Sequence, residues 1–301
     1  MMARVSRALH SSPMRPILVV IALCTVLHAQ TFRSAVDHVA VPITIHSELK
    51  DSATDLRSDD FRVFDDGEPV AIVAFGNVRQ PVHVLLLLDT SRSMTESASG
   101  ITSAASAVVA QLAPNDSIRV GTFSNSLRLS PRFSADDSQV AARLALIPGA
   151  NTTILYDALV EGCTTFTSEM ERRSIIVVSD GTDTASSASA RAVMRHAAEA
   201  NVAIYAVGLS SRYMERGKVI VRPPDPILRQ IAEDTGGGYL PADSGMDLSG
   251  LFKAMVDELH QQYILGFTPA RADGRVHSLV VTTRRPNLKI RARKQYLAPV
   301  P

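Results

Sequence analysis

The chain has 301 residues, more than the roughly 100 to 200 of a single domain, which predicts two domains or one large domain with an appendage. With 46% hydrophobic and 20% charged residues, its composition is that of a globular protein and excludes a disordered or collagen-like chain. The 31 basic and 30 acidic side chains give a formal net charge of +1, so no overall positive field attracts nucleic acid.

The first 29 residues combine positive charge with a short apolar run. Arg4, Arg7 and Arg15 stand there without any acidic residue, and the apolar run spans 17–27. This pattern is typical of a secretory signal peptide cleaved after Ala29. This eleven-residue run is too short to provide the roughly 20 residues that a membrane-spanning helix needs. We therefore expect a secreted or periplasmic protein with no stable transmembrane anchor after processing, and a formal charge of −2 once the three arginines are removed.

Two cysteines are present, and only one of them is expected in the exported protein. Cys24 lies inside the apolar run and leaves with it, so Cys163 has no partner for an internal disulfide. The residues before Cys163 have helical spacing, and no His/Asn arrangement accompanies it. This pattern favours a buried, inert thiol over a nucleophile.

Residues 30–80 carry short runs in which apolar and polar residues alternate. The runs Val39–Ile45, Phe61–Phe64 and Val70–Phe75 predict strands, and 65–67 reads Asp-Asp-Gly, a strong turn signal. No helix of useful length is predicted in this segment. We interpret 30–80 as a small β segment.

Between residues 81 and 262, strands alternate with helical patterns. Val82–Leu88 is almost continuously apolar, as in a parallel strand buried on both faces. The alternation predicts an α/β fold, with a doubly wound, mostly parallel, Rossmann-like sheet covered on both faces. Further strands are predicted at Ile118–Phe123, Ser174–Val178 and Val202–Val207, and helices at Thr102–Leu112, Asp136–Leu146, Leu155–Glu169, Ala188–Ala200, Pro226–Glu233 and Leu248–Gln261.

Residues 263–301 return to strand patterns, at Tyr263–Phe267, Val276–Thr283 and Leu288–Tyr296. Because β segments flank the α/β block on both sides, we expect the block to be inserted into a small β-sandwich built from N- and C-terminal strands. The predicted organisation is a signal peptide over 1–29, an N-terminal β segment over 30–80, an α/β domain over 81–262 and a C-terminal β segment over 263–301.

Oxygen-bearing side chains follow the ends of two buried strands. Asp89, Ser91 and Ser93 form an Asp-x-Ser-x-Ser sequence after the first strand, and Asp180 follows the strand at 174–178. Thr153 lies in a further loop, just before a predicted helix. Ligands of doubly wound sheets bind outside the carboxyl ends of the strands, where these loops are expected to meet. Hard oxygen donors select Mg²⁺, Mn²⁺ or Ca²⁺ over zinc.

These three loops, in this order, resemble the metal-ion-dependent adhesion site of von Willebrand factor type A (VWA) domains. The resemblance implies that Ser91 and Ser93 bind the metal directly, and that Thr153, Asp89 and Asp180 do so directly or through water. It also implies a partner protein that supplies a carboxylate, because neutral hydroxyl ligands leave the cation under-neutralised.

The flanks resemble an exported family of VWFA-related proteins catalogued in acidobacteria. The segments that carry this resemblance are 59–67, Gln262–Phe267 and Leu288–Lys294, so the similarity covers about 30–298. Two positions depart from the pattern: Arg92 stands where a small Gly is usual, and Thr152 stands where the family mostly has Gly. Arg92 places a cation at the mouth of the site, where it either weakens metal binding or selects an acidic partner.

Several neighbouring polar residues have structural interpretations. Ser, Thr and Asp commonly cap helices, so Ser93 or Thr95 is a candidate cap for the helix after the first strand. Asp183 either supports the metal ligands or caps the helix predicted from Ala188. Asp157 is interpreted as structural and Tyr156 as a core residue.

Counting from Arg271, eight basic residues stand against Asp273 alone. Their alternation with Ile290 and Ala292 favours a solvated strand face over an anion-binding patch. No aromatic residues are interleaved for nucleic-acid binding, and the glycine-rich phosphate-binding motifs are missing from the sequence. The eight histidines show no ligand spacing.

The sequence therefore predicts a non-enzymatic, exported module that binds an acidic residue of a partner protein through a divalent cation. A second class of function is metal-assisted hydrolysis or phosphoryl transfer, which also uses Mg²⁺ on carboxylates. It requires a general base or nucleophile near the metal, and none is evident in the three loops. A third is a structural envelope protein whose metal site is vestigial.

Overall fold

Long runs of consecutive apolar residues form the strands of a central six-stranded sheet. The computed structural model describes residues 38–47, 55–77, 80–134, 151–243 and 246–300. The sheet has the strand order β12-β9-β8-β5-β6-β7, in which every neighbouring pair is parallel except β6 with β7. Its strands are β5 (Val82–Asp89), β6 (Ser117–Phe123), β7 (Leu127–Leu129), β8 (Arg172–Ser179), β9 (Val202–Leu209) and β12 (Tyr239–Ala242).

Helices cover both faces of this sheet, as the alternation of strands and helices predicted. On one face, helices α1 and α5 pack their apolar residues against β5, β8 and β9. On the other face, α2, α3 and α4 form a second core with the same strands. The helices are α1 (Ala98–Gln111), α2 (Leu155–Cys163), α3 (Ala190–Glu199), α4 (Pro226–Thr235) and α5 (Ser249–Gln261). The doubly wound α/β architecture is confirmed.

Strands from the two ends of the chain pair with each other in two four-stranded antiparallel sheets. One sheet has the order β15-β1-β13-β4 and the other β16-β14-β2-β3, and a third apolar core lies in this part of the molecule. The predicted β-sandwich of N- and C-terminal strands is therefore confirmed. Its strands are β1 (Val39–Ser47), β2 (Phe61–Asp65), β3 (Glu68–Val70), β4 (Ile72–Gly76), β13 (Tyr263–Phe267), β14 (Val276–Thr283), β15 (Leu288–Arg291) and β16 (Gln295–Leu297).

Polar side chains at the end of α5 join the α/β part to the β-sandwich. Glu258 on α5 forms an ion pair with Arg291 on β15 and accepts a hydrogen bond from the Tyr205 hydroxyl on β9. The Arg172 guanidinium donates to the carbonyls of Leu259 and Gln262, which satisfies acceptors at the C-terminal end of α5. Residues 36–301 accordingly form one compact unit.

Some predicted elements differ from the observed ones. The helix expected over 155–169 ends at Cys163, where the hydroxyls of Thr164 and Thr165 donate to the carbonyls of Glu161 and Gly162 and compete with helix propagation. The expected strand 70–75 is divided between β3 and β4. The predicted helix at 136–146 and the signal peptide lie outside the described residues.

A hairpin of β10 (Ser211–Glu215) and β11 (Lys218–Arg222) was not predicted. All its residues except Ser211 and Ile220 are exposed, so its sequence lacks the contrast between a buried and a solvated face on which strand prediction depends.

Cys163 is buried, and burial raises the pKa of its thiol to about 12. The predicted inert character follows, because the nucleophilic form of cysteine is the thiolate.

The basic residues of the C-terminal segment are distributed over ion pairs with distant acids instead of forming a continuous patch. Arg285 pairs with Asp60, and Lys294 pairs with Asp234 of α4. Arg271 pairs with Asp66. In the described part of the chain, no helix is both long and apolar enough to cross a membrane.

Candidate metal site

Two of the predicted loops begin at neighbouring strands of the parallel sheet. Strand β5 ends at Asp89, and β8 ends at Ser179, directly before Asp180. The register pairs Leu88 with Val178, so both loops leave the same edge of the sheet at the same level. Parallel pairing thus brings together carboxylates that are 91 positions apart in the sequence.

Asp89 is buried, with 1% of its surface exposed. Its Oδ1 accepts a hydrogen bond from the backbone N–H of Ser91 at 2.8 Å, and its Oδ2 accepts one from the Ser179 hydroxyl at 2.6 Å. Burial raises the pKa of the Asp89 carboxyl to about 6, against these hydrogen bonds, and the negative charge of Asp180 adds to the increase. The surroundings disfavour the charged form of this carboxyl group, so a nearby cation would stabilise that form.

The hydroxyls of the first loop lie beside this carboxylate. Ser91 is buried and Ser93 is exposed, and their Oγ atoms are 3.1 Å apart. Ser93 lies on a short 3-10 helix, residues 92–97, that precedes α1. The predicted capping role of Ser93 or Thr95 is wrong, since Ser97 occupies the cap position of α1 without a side-chain hydrogen bond and Thr95 donates to the Arg92 carbonyl.

Thr153 belongs to the second loop and is tied to the third by its backbone. Its N–H donates to the Thr184 hydroxyl at 2.8 Å, and its carbonyl accepts from the N–H groups of Thr184 and Ala185. The side chain is buried, and its hydroxyl makes no hydrogen bond to any described residue. Among the described residues, the Thr153 hydroxyl oxygen is therefore available to a ligand beside the loop that carries Asp180.

Asp180 is 5% exposed, and its Oδ1 accepts a hydrogen bond from the Thr182 N–H at 2.9 Å. Its Oδ2 has no partner among the described residues. The next residue, Gly181, has φ +84, and a Cβ there would lie 2.8 Å from the Cβ of Asp225. The turn after Asp180 therefore requires glycine.

Neither Asp89 nor Asp180 forms an ion pair with a cationic side chain of the described residues. Two buried carboxylates near each other are costly unless a positive charge compensates them. The donor set consists of carboxylate and hydroxyl oxygens, the ligands that Mg²⁺, Mn²⁺ and Ca²⁺ prefer. The residues present thus fit a hard divalent cation.

Ser179 was not identified as a functional candidate from the sequence. It donates to Asp89 from the neighbouring strand, and its Oγ also accepts a hydrogen bond from the Gly181 N–H at 3.0 Å. One buried hydroxyl therefore positions both acidic loops. The position of Ser179 at the end of a strand, just before Asp180, could have indicated its role. The direction of its hydroxyl toward Asp89 depends on strand pairing, which the sequence does not show.

Asp183 and Asp157 support the second and third loops. Asp183 accepts hydrogen bonds from the Tyr156 N–H at the start of α2 and from the Ser186 hydroxyl. The cap of α3 is Ser189, so the predicted capping of the helix near Ala188 by Asp183 is wrong. Asp157 accepts from the N–H groups of Ser187 and Ala188, in agreement with its structural interpretation.

A second carboxylate cluster lies in the β-sandwich, where Asp65, Asp66 and His277 place ligand atoms within 4.8 Å of one another. His277 bonds Asp65 through Nδ1 at 2.8 Å and Asp273 through Nε2 at 3.0 Å. Burial alone would lower the pKa of His277, but these two hydrogen bonds and the charges of Asp65 and Asp66 raise it above the usual value. No sequence pattern indicates this cluster, because His277 is more than 200 positions away from Asp65 and Asp66.

The chain is similar to one known protein family and to several solved structures. The family model that matches is the von Willebrand factor type A domain, over residues 83–236. Among solved structures, a von Willebrand factor type A protein from Catenulispora acidiphila is 12% identical with a TM-score of 0.50, and the match covers 87% of this chain and 74% of that one. A likeness at this identity shows a shared fold.

Two further similar structures each match 59% of the chain. An aerotolerance-related membrane protein from Bacteroides fragilis is 20% identical with a TM-score of 0.49, covering 59% of this chain and 98% of that one. Proximal thread matrix protein 1 from the mussel byssus, with a zinc-occupied metal-ion-dependent adhesion site, is 18% identical with a TM-score of 0.46, covering 59% and 48%. No curated protein matches the chain.

Proposed function

Because the chain belongs to the von Willebrand factor type A domain family, we propose that it is a non-enzymatic module that binds a partner protein through a divalent cation. VWA domains are commonly metal-dependent interaction modules. The observation that carries the proposal is the buried Asp89 carboxylate, which has a second acid nearby and, among the residues that the structure describes, no cationic side chain that balances either charge.

The cation would be held by Ser91, Ser93 and Thr153 together with Asp89 and Asp180, directly or through water. Mg²⁺ is the proposed ion, with Mn²⁺ or Ca²⁺ as its replacements, because every donor is oxygen. The hydroxyls carry no charge, so the bound ion retains positive charge that attracts a further carboxylate. This chain's residues supply the positioning: Ser179 fixes Asp89, and the Thr153 backbone holds the second loop against the third.

We further propose that the partner contributes that carboxylate from an Asp or Glu side chain. Arg92 is exposed beside Ser91 and Ser93, where its positive charge favours an acidic surface on the partner. The meeting of the two proteins is proposed to occur outside the cytoplasm, after removal of 1–29, with 30–80 and 263–301 flanking the VWA domain of 81–262.

Titration calorimetry with Mg²⁺, Mn²⁺ and Ca²⁺ tests the metal part of the proposal. Wild-type protein is expected to bind one ion with measurable heat, and Asp89→Ala and Ser91→Ala are expected to lose that heat. Asp247→Ala provides a matched control, because this exposed acid only bonds Ser249 near the start of α5. Wild-type protein that gives no heat with any of the three ions would falsify the metal site.

Capture from the secreted proteins of the source organism tests the protein-binding part. Immobilised wild-type protein is expected to retain a partner in Mg²⁺ and to release it in EDTA, whereas Asp89→Ala retains none. A partner held equally well in EDTA contradicts capture through the metal, whatever the calorimetry gives.

A further inference from the structure

The hairpin of β10 and β11 projects from the α/β part of the molecule as a sheet of two strands. The register pairs Met214 with Val219 and Glu215 with Lys218, and the turn is formed by Arg216 and Gly217 with φ of 49° and 76°. Positive φ at both turn positions is typical of the type I′ turn that joins two strands tightly. Within the described residues no third strand joins this sheet.

The hairpin exposes an unusual amount of apolar surface. Four of the nine large hydrophobic side chains that the described residues expose belong to it. Met214 is 66% exposed, Val219 63%, Val221 53% and Tyr213 41%. An isolated two-stranded hairpin is marginally stable in water, and clustered exposed apolar side chains mark interaction sites.

The hairpin is also positively charged. Arg212, Arg216, Lys218 and Arg222 are exposed on it, against the single acid Glu215. The Arg222 guanidinium lies 5.4 Å from the centre of the Tyr213 ring, so part of this charge is held over an aromatic face. A partner that covers this surface is therefore expected to be acidic as well as apolar.

The hairpin contacts the first loop of the candidate metal site and is connected to the third. Strand β10 packs against the 3-10 helix 92–97, which carries Ser93. After β11, the chain passes through Pro223 and Pro224 to Asp225, whose N–H donates to the Asp180 carbonyl at 2.8 Å. A partner that reaches the metal loops would have the hairpin beside it.

The free edge of β11 has a defined set of hydrogen-bonding groups. The two residues that flank a two-residue turn, Glu215 and Lys218, bond each other, and bonded pairs then alternate along the hairpin. The backbone N–H and C=O groups of Val219 and Val221 consequently point away from β10. Their side chains lie on one face with Met214, since residues two apart share a face of a strand.

We propose that this hairpin is a docking strand for the partner, and that an extended, acidic and apolar segment of the partner pairs with the outer edge of β11 through Val219 and Val221. This inference rests on the proposed function, because it assigns a second contact to the same partner. Addition of a strand supplies backbone hydrogen bonds. The valines on one face of β11 select apolar side chains, and Lys218 and Arg222 on the opposite face select acidic ones. The charged tip, Glu215 to Lys218, argues against insertion into a lipid bilayer.

The test uses a fluorescein-labelled eight-residue peptide in which Asp and Val alternate, with fluorescence anisotropy as the measurement. Wild-type protein is expected to bind it at least tenfold more tightly than a peptide in which Lys and Val alternate. The double variant Val219→Pro/Val221→Pro is expected to lose at least tenfold in affinity. Proline at an outward-facing edge position removes the N–H donors without removing a hydrogen bond of the hairpin itself.

The matched control is Val219→Ile/Val221→Ile, which keeps the N–H groups and the apolar character and is expected to bind like wild type. The far-ultraviolet circular dichroism spectrum and the thermal unfolding midpoint should be the same in all three proteins, which shows that the proline variant remains folded whether or not the protein binds Mg²⁺. Equal peptide binding by wild type and the proline variant overturns the inference, and so does wild-type protein that does not bind the peptide.

Two further arms separate this inference from its alternatives. Peptide binding measured in EDTA reports the hairpin alone, so retained, proline-sensitive binding supports the hairpin even where the metal proposal fails. Vesicles of phosphatidylserine and phosphatidylcholine are the membrane probe. Binding to these vesicles without binding to the peptide overturns a protein partner in favour of a lipid surface.

Discussion

Two clusters that each contain a buried aspartate, one at the edge of the central sheet and one in the β-sandwich, differ in how the charge of that aspartate is balanced. In the sandwich, Asp65 accepts from the Ala270 N–H through Oδ2 and bonds His277 through Oδ1. At the sheet edge, Asp89 is held by Ser91 and Ser179, but no positive side chain balances it within the described residues. The protein supplies the counter-charge in the first case, and we propose that a bound cation supplies it in the second.

The comparison shows that acids within reach of one another do not by themselves make a metal site. The ligand atoms of the Asp65 cluster lie within 4.8 Å of one another, close enough to hold a metal ion. However, the Asp65 carboxylate oxygens and both ring nitrogens of His277 are already hydrogen-bonded. A metal there would have to displace a buried ion pair. The hydroxyl of Thr153 and the Oδ2 of Asp180, by contrast, have no partner among the described residues.

The largest expected difference between the two clusters is in stability. Asp65→Ala removes one partner of a buried ion pair, and we expect it to lower the free energy of unfolding by about 3 kcal/mol. Asp89→Ala removes an acid that burial disfavours, so in EDTA we expect unfolding free energy equal to or above that of wild type. Urea denaturation of both variants measures this. A large loss of stability for Asp89→Ala in EDTA would mean that the sheet-edge acid is structural.

The affinity for Mg²⁺ should depend on Ser179 and not on His277 of the β-sandwich cluster. Ser179→Ala removes the hydroxyl that positions Asp89, and we expect Mg²⁺ affinity to fall by roughly 10- to 100-fold, as for other residues that orient metal ligands. Calorimetry on Ser179→Ala and on His277→Gln checks this, and the second variant should bind Mg²⁺ like wild type. An unchanged dissociation constant for Ser179→Ala would remove its positioning role.

The sandwich cluster should make stability depend on pH. The folded protein holds the pKa of His277 above its usual value, so the protonated ring contributes stability at low pH that is lost as pH rises through the folded pKa. We expect the free energy of unfolding to decrease as pH rises above the usual histidine pKa of about 6.5, and His277→Gln to flatten that decrease. A wild-type profile as flat as that of His277→Gln would contradict a charged His277.

The smallest predicted effect concerns Arg92, at the entrance of the candidate metal site. Arg92 is exposed beside Ser91, and Arg92→Gly removes a positive charge that repels the cation. We expect Mg²⁺ to bind about two- to fivefold more tightly in the variant at low ionic strength, and the gain to shrink as salt screens the charge. Unchanged or weaker Mg²⁺ binding in this variant at low salt would show that Arg92 does not oppose the metal.

The sequence was informative where burial decides structure and less so where side chains meet across the fold. Continuous apolar runs identified β5 and β8, and the acids that follow them located both carboxylate loops. The direction of the Ser179 hydroxyl, the contact of Asp183 with α2 and the pairing of His277 with Asp65 depend on packing between distant segments. The β10–β11 hairpin was not predicted because both of its faces are exposed.

The central claim is that the sheet-edge acids are arranged for a divalent cation and the sandwich acids are not. The most direct measurement is a crystal of the protein soaked in Mn²⁺, examined by anomalous diffraction. We predict one anomalous peak among the oxygens of Asp89, Ser91, Ser93, Thr153 and Asp180, and none beside His277. A peak in the Asp65 cluster, or none at the sheet edge at saturating Mn²⁺, would contradict the account.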